Sequence, residues 1–181
     1  MRVISGQAKG RTLKLVPGKG TRPISDRVKE SLFNILTPLI PGCRFLDLFA
    51  GTGSVGIEAV SRDAAQAVFI EKARKAIQII HQNLRSTRLA DRAQVLHKDA
   101  FHFIPETDEQ FDIIYVAPPQ YQNLWSKTLL ALDQHPILAP DGVIVAQIFP
   151  KEFEPLPLQR YTLDDQRKYG STMLCFYTAS S

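Results

Sequence analysis

The stretch from residue 45 to residue 58, FLDLFAGTGSVGIE, constrains the fold of this chain more than any other. Residues 45–49 are apolar except for Asp47, which is typical of a strand that is buried on both faces. Gly51 and Gly53 come next, and glycine adopts backbone angles that let a ligand approach the main chain closely. Apolar residues with helical spacing follow Gly56. The stretch predicts a strand, a glycine turn and a helix that together form a nucleotide-type binding site.

The charge next to this turn indicates which ligand it binds. Gly51, Gly53 and Gly56 match the G-x-G-x-x-G spacing of dinucleotide sites, so NAD is one candidate. Asp47 argues against NAD, because a carboxylate directly before the turn repels a pyrophosphate. S-adenosyl-L-methionine contains no phosphate and has a sulfonium and an ammonium group, which an anion attracts. We therefore expect S-adenosyl-L-methionine as the cofactor.

Length and composition limit the class of protein. The 181 residues, 44% of them hydrophobic, suit one soluble globular domain with at most a small extension. The sequence shows no membrane-length apolar run and no signal peptide at its start, so we expect a cytoplasmic protein. Cys43 and Cys175 match no metal-ligand spacing and are expected to be reduced core residues. We also expect no metal and a monomer.

The net charge of +4 is unevenly distributed. Up to residue 29 there is one acidic residue, Asp26, against eight basic ones, so the rest of the chain carries a net negative charge. The eight are Arg2, Lys9, Arg11, Lys14, Lys19, Arg22, Arg27 and Lys29. A basic arm on a mildly acidic body predicts contact with nucleic-acid phosphates, although such charges also serve solubility alone.

The first 40 residues have their own local pattern. Residues 2–4 and 12–16 predict two short strands, and the glycines and prolines of residues 17–23 predict a loop. Ser25 is a predicted N-cap for a helix that ends at Leu36. The predicted apolar face of this helix comprises Val28, Leu32, Ile35 and Leu36. Arg27, Lys29, Glu30 and Asn34 fall on its other faces.

Strands alternate with helices in the rest of the chain. Further strands are predicted at residues 67–71, 94–97, 111–116 and 142–147, with a closing hairpin from residues 161–163 and 172–178. Glu71 ends the second strand twenty residues after Gly51, a spacing at which a carboxylate meets ribose hydroxyls. Asp99 follows the third strand and is either a ligand residue or a helix N-cap. The pattern predicts a doubly wound α/β sheet with an antiparallel edge.

The fourth strand ends in Ala117-Pro118-Pro119-Gln120-Tyr121. Two consecutive prolines remove two amide donors and stiffen the backbone, so carbonyl groups stay free of the ladder. We interpret this loop as a set of fixed carbonyl acceptors beside an aromatic side chain, Tyr121, at the ligand-binding edge. A rigid loop without a catalytic role is the alternative.

Several segments together resemble a known family. The glycine turn, Glu71, Asp99 and the proline loop resemble a class I S-adenosylmethionine-dependent methyltransferase. The segments VISG, KGR, TRP, DRVKE, LFN and KYGST, which begin at residues 3, 9, 21, 26, 32 and 168, resemble the RsmD family. Its members methylate the exocyclic N2 of a guanine in small-subunit (16S) ribosomal RNA.

This resemblance implies a Rossmann-like sheet of seven strands in the order 3-2-1-4-5-7-6, with the seventh strand antiparallel. It divides the chain into a basic extension, residues 1–40, and a methyltransferase domain, residues 41–181. The implied cofactor-binding residues are Asp47, Phe49, Gly51, Thr52, Gly53, Glu71 and Asp99. The implied RNA-binding residues are Arg2, Lys9, Arg11, Lys14, Arg22 and Arg27.

One departure from the family concerns the catalytic loop. The family's motif is Asp-Pro-Pro followed by an aromatic residue, whereas this chain has Ala117 in place of the acid and Gln120 before Tyr121. We therefore expect Pro118 and Gln120 to hold the target amino group and Tyr121 to stack on the base. Two alternatives remain: a non-catalytic RNA-binding assembly factor that keeps the cofactor pocket, and an amino-methyltransferase acting on DNA.

Overall fold

The computed structural model describes residues 1–18 and 23–181, and it contains one seven-stranded sheet. In chain order, the strands are β1 (Arg44–Asp47), β2 (Gln66–Glu71), β3 (Ala93–His97), β4 (Phe111–Val116), β5 (Leu138–Ile148), β6 (Tyr161–Tyr169) and β7 (Thr172–Ala179). The helices are α1 (Asp26–Leu36), α2 (Ser54–Ser61), α3 (Arg74–Thr87), α4 (Ala100–Glu106) and α5 (Leu124–Gln134). Short 3-10 helices lie at Thr37–Leu39, Ala90–Arg92 and Pro150–Glu152.

The spatial order of the strands is β3-β2-β1-β4-β5-β7-β6. Strands β1 to β5 are parallel, and β7 runs antiparallel to both β5 and β6. The predicted doubly wound sheet and its order are thus confirmed. The order in which successive strands are added to the sheet reverses between β1 and β4, although the two strands are parallel. Such folds bind ligands at this point, beyond the carboxyl ends of the strands.

The helices cover both faces of the sheet because successive strand residues point to opposite sides. Phe45 of β1 packs into a cluster with residues of α1, α2 and α3, whereas its neighbour Leu46 packs into a second cluster with α4 and α5. Cys43 and Cys175 are buried free thiols, as expected. Within the described ranges, no helix is long and apolar enough to cross a membrane.

The N-terminal arm, residues 1–18, differs from its prediction. Instead of two strands, it contains an isolated bridge between Arg2 and Thr12. The Val3 amide donates to the Arg11 carbonyl at 2.9 Å, and the Leu13 amide donates to the Met1 carbonyl at 3.0 Å. Beyond this short pairing, side chains of the helices bond the backbone: the amides of Ile4 and Ser5 donate to Glu58, and the amide and carbonyl of Lys14 bond Asn83. The predicted antiparallel pairing is therefore present but does not extend into two strands, because docking on α2 and α3 satisfies the backbone of Ile4, Ser5 and Lys14 instead.

The arm and α1 nevertheless share one hydrophobic cluster with the sheet, through buried side chains that include Val3, Leu13 and Leu32. Helix α1 begins after Ser25, whose hydroxyl caps it by accepting from the Val28 amide at 3.2 Å, as predicted. The division into residues 1–40 and 41–181 stays a prediction.

Lys29 was counted with the basic arm and predicted to lie off the apolar face of α1, but the structure places it in the core. Its side chain is completely buried, and Nζ donates to the Arg2 carbonyl at 2.6 Å and to Ser54 Oγ at 2.9 Å. Glu58 Oε1, also completely buried, lies 3.4 Å from Nζ. Burial lowers the pKa of Lys29, while Glu58 acts in the opposite direction. Lys29 therefore cannot contact nucleic-acid phosphates and belongs to the core.

Candidate functional site

A cavity of about 660 Å³ lies at the carboxyl ends of the parallel strands, next to the point between β1 and β4 at which the strand order reverses. It brings together most of the cofactor-binding and catalytic residues predicted from the sequence. Those in its lining are Asp47, Phe49, Gly51, Thr52, Glu71, Asp99, Pro118 and Gln120. Gly53 and Tyr121 lie next to lining residues in the chain but do not themselves line the cavity. The predicted site residues thus converge on one edge of the sheet, as the fold requires.

The three glycines of the turn have different structural roles. Gly51 and Gly53 have φ angles of +56° and +81°, a region that glycine adopts without strain. A Cβ atom on Gly51 would meet no atom of the described residues within 4 Å, so its backbone faces open space. A Cβ atom on Gly56 would lie 2.3 Å from the Phe69 ring. The first glycine therefore exposes backbone to a ligand, and the third allows α2 to pack on β2.

Glu71 links β2 to the glycine turn. Its Oε1 accepts from the Gly51 amide and its Oε2 from the Ala73 amide, both at 2.8 Å. The side chain is part of the cavity wall. Each carboxylate oxygen can accept a second hydrogen bond, so a hydroxyl-bearing ligand can bind Glu71 without breaking these contacts.

Asp99 caps helix α4 and lines the cavity as well. Its Oδ1 accepts from the Phe101 amide at 2.8 Å, which confirms the N-cap interpretation. This cap uses Oδ1 and leaves Oδ2 available to a donor in the cavity. The capping role and a ligand-binding role are therefore geometrically compatible.

Asp47 is the most unusual charged group of the site. It is 1% exposed, and its Oδ1 has no hydrogen-bond partner within residues 1–18 and 23–181. Burial raises the pKa of Asp47 to about 7, and the nearby charge of Glu71 adds to the effect. A buried carboxylate oxygen without a donor is costly, and a cationic donor in the cavity would relieve that cost.

The loop after β4 also contributes to the cavity wall. Ala117, Pro118, Pro119 and Gln120 all line it, with Pro118 buried and Gln120 exposed. The Gln120 carboxamide makes no hydrogen bond to any residue in the described part of the chain. Its oxygen is consequently free to accept from a substrate.

Two features of the cavity were not predicted from the sequence. The arm contributes Leu15, Val16 and Gly18 to the wall, although its composition indicated only a basic surface. Tyr115 and Gln147 also line the cavity, and the Tyr115 hydroxyl donates to Gln147 Oε1, which places an amide group from β5 in the site. No local motif marks these residues, because they meet only through sheet register and docking of the arm.

Three contacts attach the arm to the glycine turn and α2. Asn83 Nδ2 donates to the carbonyl of Thr52 at 2.9 Å as well as to that of Lys14. Glu58 accepts from the Ile4 and Ser5 amides at 2.9 and 3.0 Å. Lys29 Nζ joins the Arg2 carbonyl to Ser54 Oγ. The arm is therefore part of the structure that shapes the cavity.

The predicted RNA-contact residues are placed along this arm and on α1. The side chains of Arg2, Lys9, Arg11, Lys14 and Arg27 are exposed. Arg2 Nε lies 3.3 Å from Asp26 Oδ2, an exposed ion pair. Arg22 lies outside the described residues. Over the same described ranges, no group of three or more His, Cys, Asp and Glu residues is placed to hold a metal ion.

Comparison with known proteins assigns the chain to a family. A family model described as "Conserved hypothetical protein 95" matches residues 1–178. The chain belongs to this family. It is 38% identical over 147 residues to ribosomal RNA small subunit methyltransferase D of Escherichia coli strain K12, covering 81% of this chain and 74% of the relative. The RsmD resemblance is thereby confirmed.

Two further members of this RsmD family match nearly the whole chain. A Bacillus subtilis protein, provisionally named the rRNA methyltransferase YlbH, is 40% identical over 181 residues, with 98% of each chain covered. A solved Escherichia coli structure, provisionally titled the methyltransferase yhhF, superposes with a TM-score of 0.86 at 33% identity. That match covers 99% of this chain and 97% of the other. The similarity includes both the N-terminal arm and the sheet.

Proposed function

We propose that this RsmD-family protein is an S-adenosyl-L-methionine-dependent methyltransferase that acts on the exocyclic N2 of a guanine in small-subunit ribosomal RNA. The observation that carries the proposal is the cavity in which the buried Asp47 carboxylate, with its Oδ1 unpaired, adjoins the open glycine turn. The names of the relatives, which specify ribosomal RNA methylation, support the substrate class.

The residues of the cavity fit the proposed cofactor. Asp47 Oδ1 supplies an anionic acceptor for an ammonium group, and a turn beside two carboxylates disfavours phosphate ligands. Glu71 keeps acceptor capacity for ribose hydroxyls, and Asp99 Oδ2 for an amino group of the nucleoside. When bound, this cofactor supplies a methyl group that its sulfonium already activates.

The protein's catalytic task is then to orient the attacking amino group in line with the bond that breaks. The lone pair of a guanine amino group is delocalised into the ring, which makes the nitrogen a poor nucleophile. Fixed oxygens that accept from both of its protons favour pyramidal geometry and stabilise the positive charge that develops. The carbonyl of Pro118 and the Gln120 carboxamide, both on the cavity wall, are the proposed acceptors.

The target base has to leave its own stack to reach the cavity. Tyr121 directly follows the proposed acceptor Gln120, and 68% of it is exposed. We propose that its ring stacks on the extruded base. The exposed basic residues of the arm, which adjoins the same cavity, are proposed to contact RNA phosphates.

Ala117 supports a second candidate function. An alanine offers no side-chain acceptor at the position where the family's motif has a carboxylate. A protein that binds ribosomal RNA and the cofactor without methyl transfer is therefore the alternative, as an assembly factor. An amino-methyltransferase of DNA is a third possibility, which the arm's resemblance to ribosomal RNA enzymes disfavours.

Transfer of tritium from labelled cofactor to small ribosomal subunits, naked ribosomal RNA and DNA separates these functions. The proposal expects label in ribosomal RNA or subunits, and nuclease digestion should locate it in N2-methylguanosine. Label in DNA alone would support the DNA enzyme. Binding of RNA and cofactor with no transfer to any substrate would support the assembly factor.

A further inference from the structure

Tyr121 has a conformation that requires support from elsewhere in the fold. Its φ angle is +62°, in the left-handed region that non-glycine residues seldom adopt. The residue is 68% exposed, so burial of its ring does not account for this conformation. Its ring stacks on that of Phe149, with centroids 5.1 Å apart and planes 20° from parallel. We call these two rings the aromatic pair.

Glu152 holds the two residues of the aromatic pair together. Its Oε1 accepts from the Tyr121 amide at 2.8 Å, and its Oε2 accepts from the Phe149 amide at 3.1 Å. The bond to Phe149 is local and caps the 3-10 helix at Pro150–Glu152. The bond to Tyr121 joins segments 31 residues apart in the chain, which capping does not require. One carboxylate thus connects the loop after β4 to the segment after β5.

The segment that carries Glu152 packs against the core. Phe153 follows it in the chain and stacks on Trp125 of α5, with centroids 6.1 Å apart and planes 23° from parallel. Trp125 is only 2% exposed, so this contact anchors the segment in the core. Glu152 therefore presents its carboxylate from a fixed backbone position to the loop that carries Tyr121.

The aromatic pair lies beside the cavity. Gln120 and Gln122, the chain neighbours of Tyr121, both line the cavity, so Tyr121 lies next to the cavity wall. Phe149 covers one face of this ring, and the high exposure of Tyr121 leaves the other face open. An exposed, fixed aromatic face stacks readily on an unpaired base, because every base has a π face.

We propose that Glu152 is a positioning residue for substrate RNA: it fixes the aromatic pair so that the open face of Tyr121 stacks on the extruded base. The inference rests on the proposed function for the identity of the substrate. Glu152 itself touches neither base nor cofactor, and it acts through Tyr121. Tyr121 needs this support because it has a left-handed backbone conformation that non-glycine residues seldom adopt.

Equilibrium binding of in vitro transcribed 16S ribosomal RNA, measured with saturating S-adenosylhomocysteine, tests this proposal. Glu152→Ala and Tyr121→Ala should each weaken binding on the order of tenfold, within the range for losing one stacked base. Glu152→Gln retains one acceptor oxygen for two amides and should give an intermediate loss. Glu154→Ala, an exposed glutamate two residues away, is the matched control and should bind as wild type does.

The double variant Glu152→Ala/Tyr121→Ala distinguishes positioning from a general effect on folding. It should bind RNA within about twofold of Tyr121→Ala alone, because residues that act as one unit are not additive. Hydrogen exchange provides a readout without RNA: the Tyr121 amide should exchange slowly in wild type and much faster in Glu152→Ala. Additive losses in the double variant, or equal exchange rates at Tyr121, would overturn the proposal.

The role of Glu152 in RNA binding and the proposed methyl transfer are tested separately. If wild type transfers no methyl group to any RNA, that function is rejected, and the binding comparison still decides the role of Glu152. If wild type is active, Glu152→Ala should raise KM for RNA and leave cofactor affinity unchanged. Equal RNA affinity in wild type and Glu152→Ala rejects the positioning role, with or without methyl transfer.

Discussion

The Gly51 amide donates to Glu71 Oε1 at 2.8 Å, so the glycine turn after β1 and the acidic residue that ends β2 form one hydrogen-bonded unit. The second oxygen of Glu71 accepts from Ala73 and directs the chain into α3. Glu71 accordingly has two roles in the proposed site: it shapes the turn and presents acceptors to the cavity.

Glu71→Ala should weaken S-adenosyl-L-methionine binding by on the order of 1–3 kcal/mol, the range for losing a charged hydrogen-bond partner. Isothermal titration calorimetry on the folded variant measures this change. The same titration of wild type with NAD should show no binding. An affinity equal to that of wild type would exclude Glu71 from the cofactor site.

The raised pKa of Asp47 predicts a pH dependence of stability. Because burial raises the pKa of Asp47 from 3.8 to about 7, the folded protein binds this proton more tightly than the unfolded chain does. Proton binding by Asp47 therefore stabilises the folded protein fully below pH 3.8, and this stabilisation is lost as pH rises through about 7. The free energy of unfolding falls by on the order of 4 kcal/mol over this range. Thermal unfolding of the cofactor-free protein from pH 4 to 8 should show this loss, and Asp47→Asn should remove it. Parallel pH profiles for the two proteins would contradict the assignment.

Gln120→Ala should slow methyl transfer without changing cofactor affinity, because Gln120 belongs to the loop after β4 and is not one of the residues proposed to bind the cofactor. Loss of one preorganised hydrogen-bonding group lowers the rate on the order of 10²–10³, by analogy with oxyanion-hole deletions. Single-turnover transfer on the saturated complex isolates this chemical step. Ala117→Asp is the complementary variant and should raise the rate if its carboxylate reaches the amino group. A Gln120→Ala rate within about twofold of wild type would leave Pro118 as the remaining acceptor.

Replacing Lys9, Arg11 and Lys14 together by glutamine should weaken RNA binding regardless of sequence. The slope of log affinity against log salt should fall by roughly 0.7–0.9 for each phosphate that the variant no longer neutralises. Lys127 and Lys168, which are exposed on α5 and β6, provide a control double variant whose slope should match that of wild type. Weaker binding with an unchanged slope in the triple variant would show that the arm supports folding and does not contact phosphates.

The regular elements followed from local patterns in the sequence. The apolar run around Asp47, the glycine turn and the spacing to Glu71 indicated a nucleotide-type site, and the structure places all three at one cavity. Prediction succeeded there because strand alternation and glycine's conformational freedom act over a few residues. The strand order, implied by the family resemblance, was also correct.

The arm was predicted less well because its pattern is ambiguous. Residues 2–4 and 12–16 alternate like strands, yet side chains of α2 and α3 satisfy much of their backbone. Lys29 has the spacing of a solvated residue on α1, yet it is completely buried beside Glu58. No local pattern distinguishes a solvated lysine from one whose partner lies 29 residues away.

By itself, the sequence determined the alternation of strands and helices, the glycine turn, and the positions of the acidic residues and prolines that follow the strands. Tertiary structure alone decided that Asp47 has an unpaired oxygen, that the arm forms a cavity wall, and that Glu152 holds Tyr121 against Phe149. The physical reason is the range of the interactions. Backbone propensity and periodicity act between neighbours, whereas burial, pKa and side-chain pairing depend on residues that only the folded chain brings together.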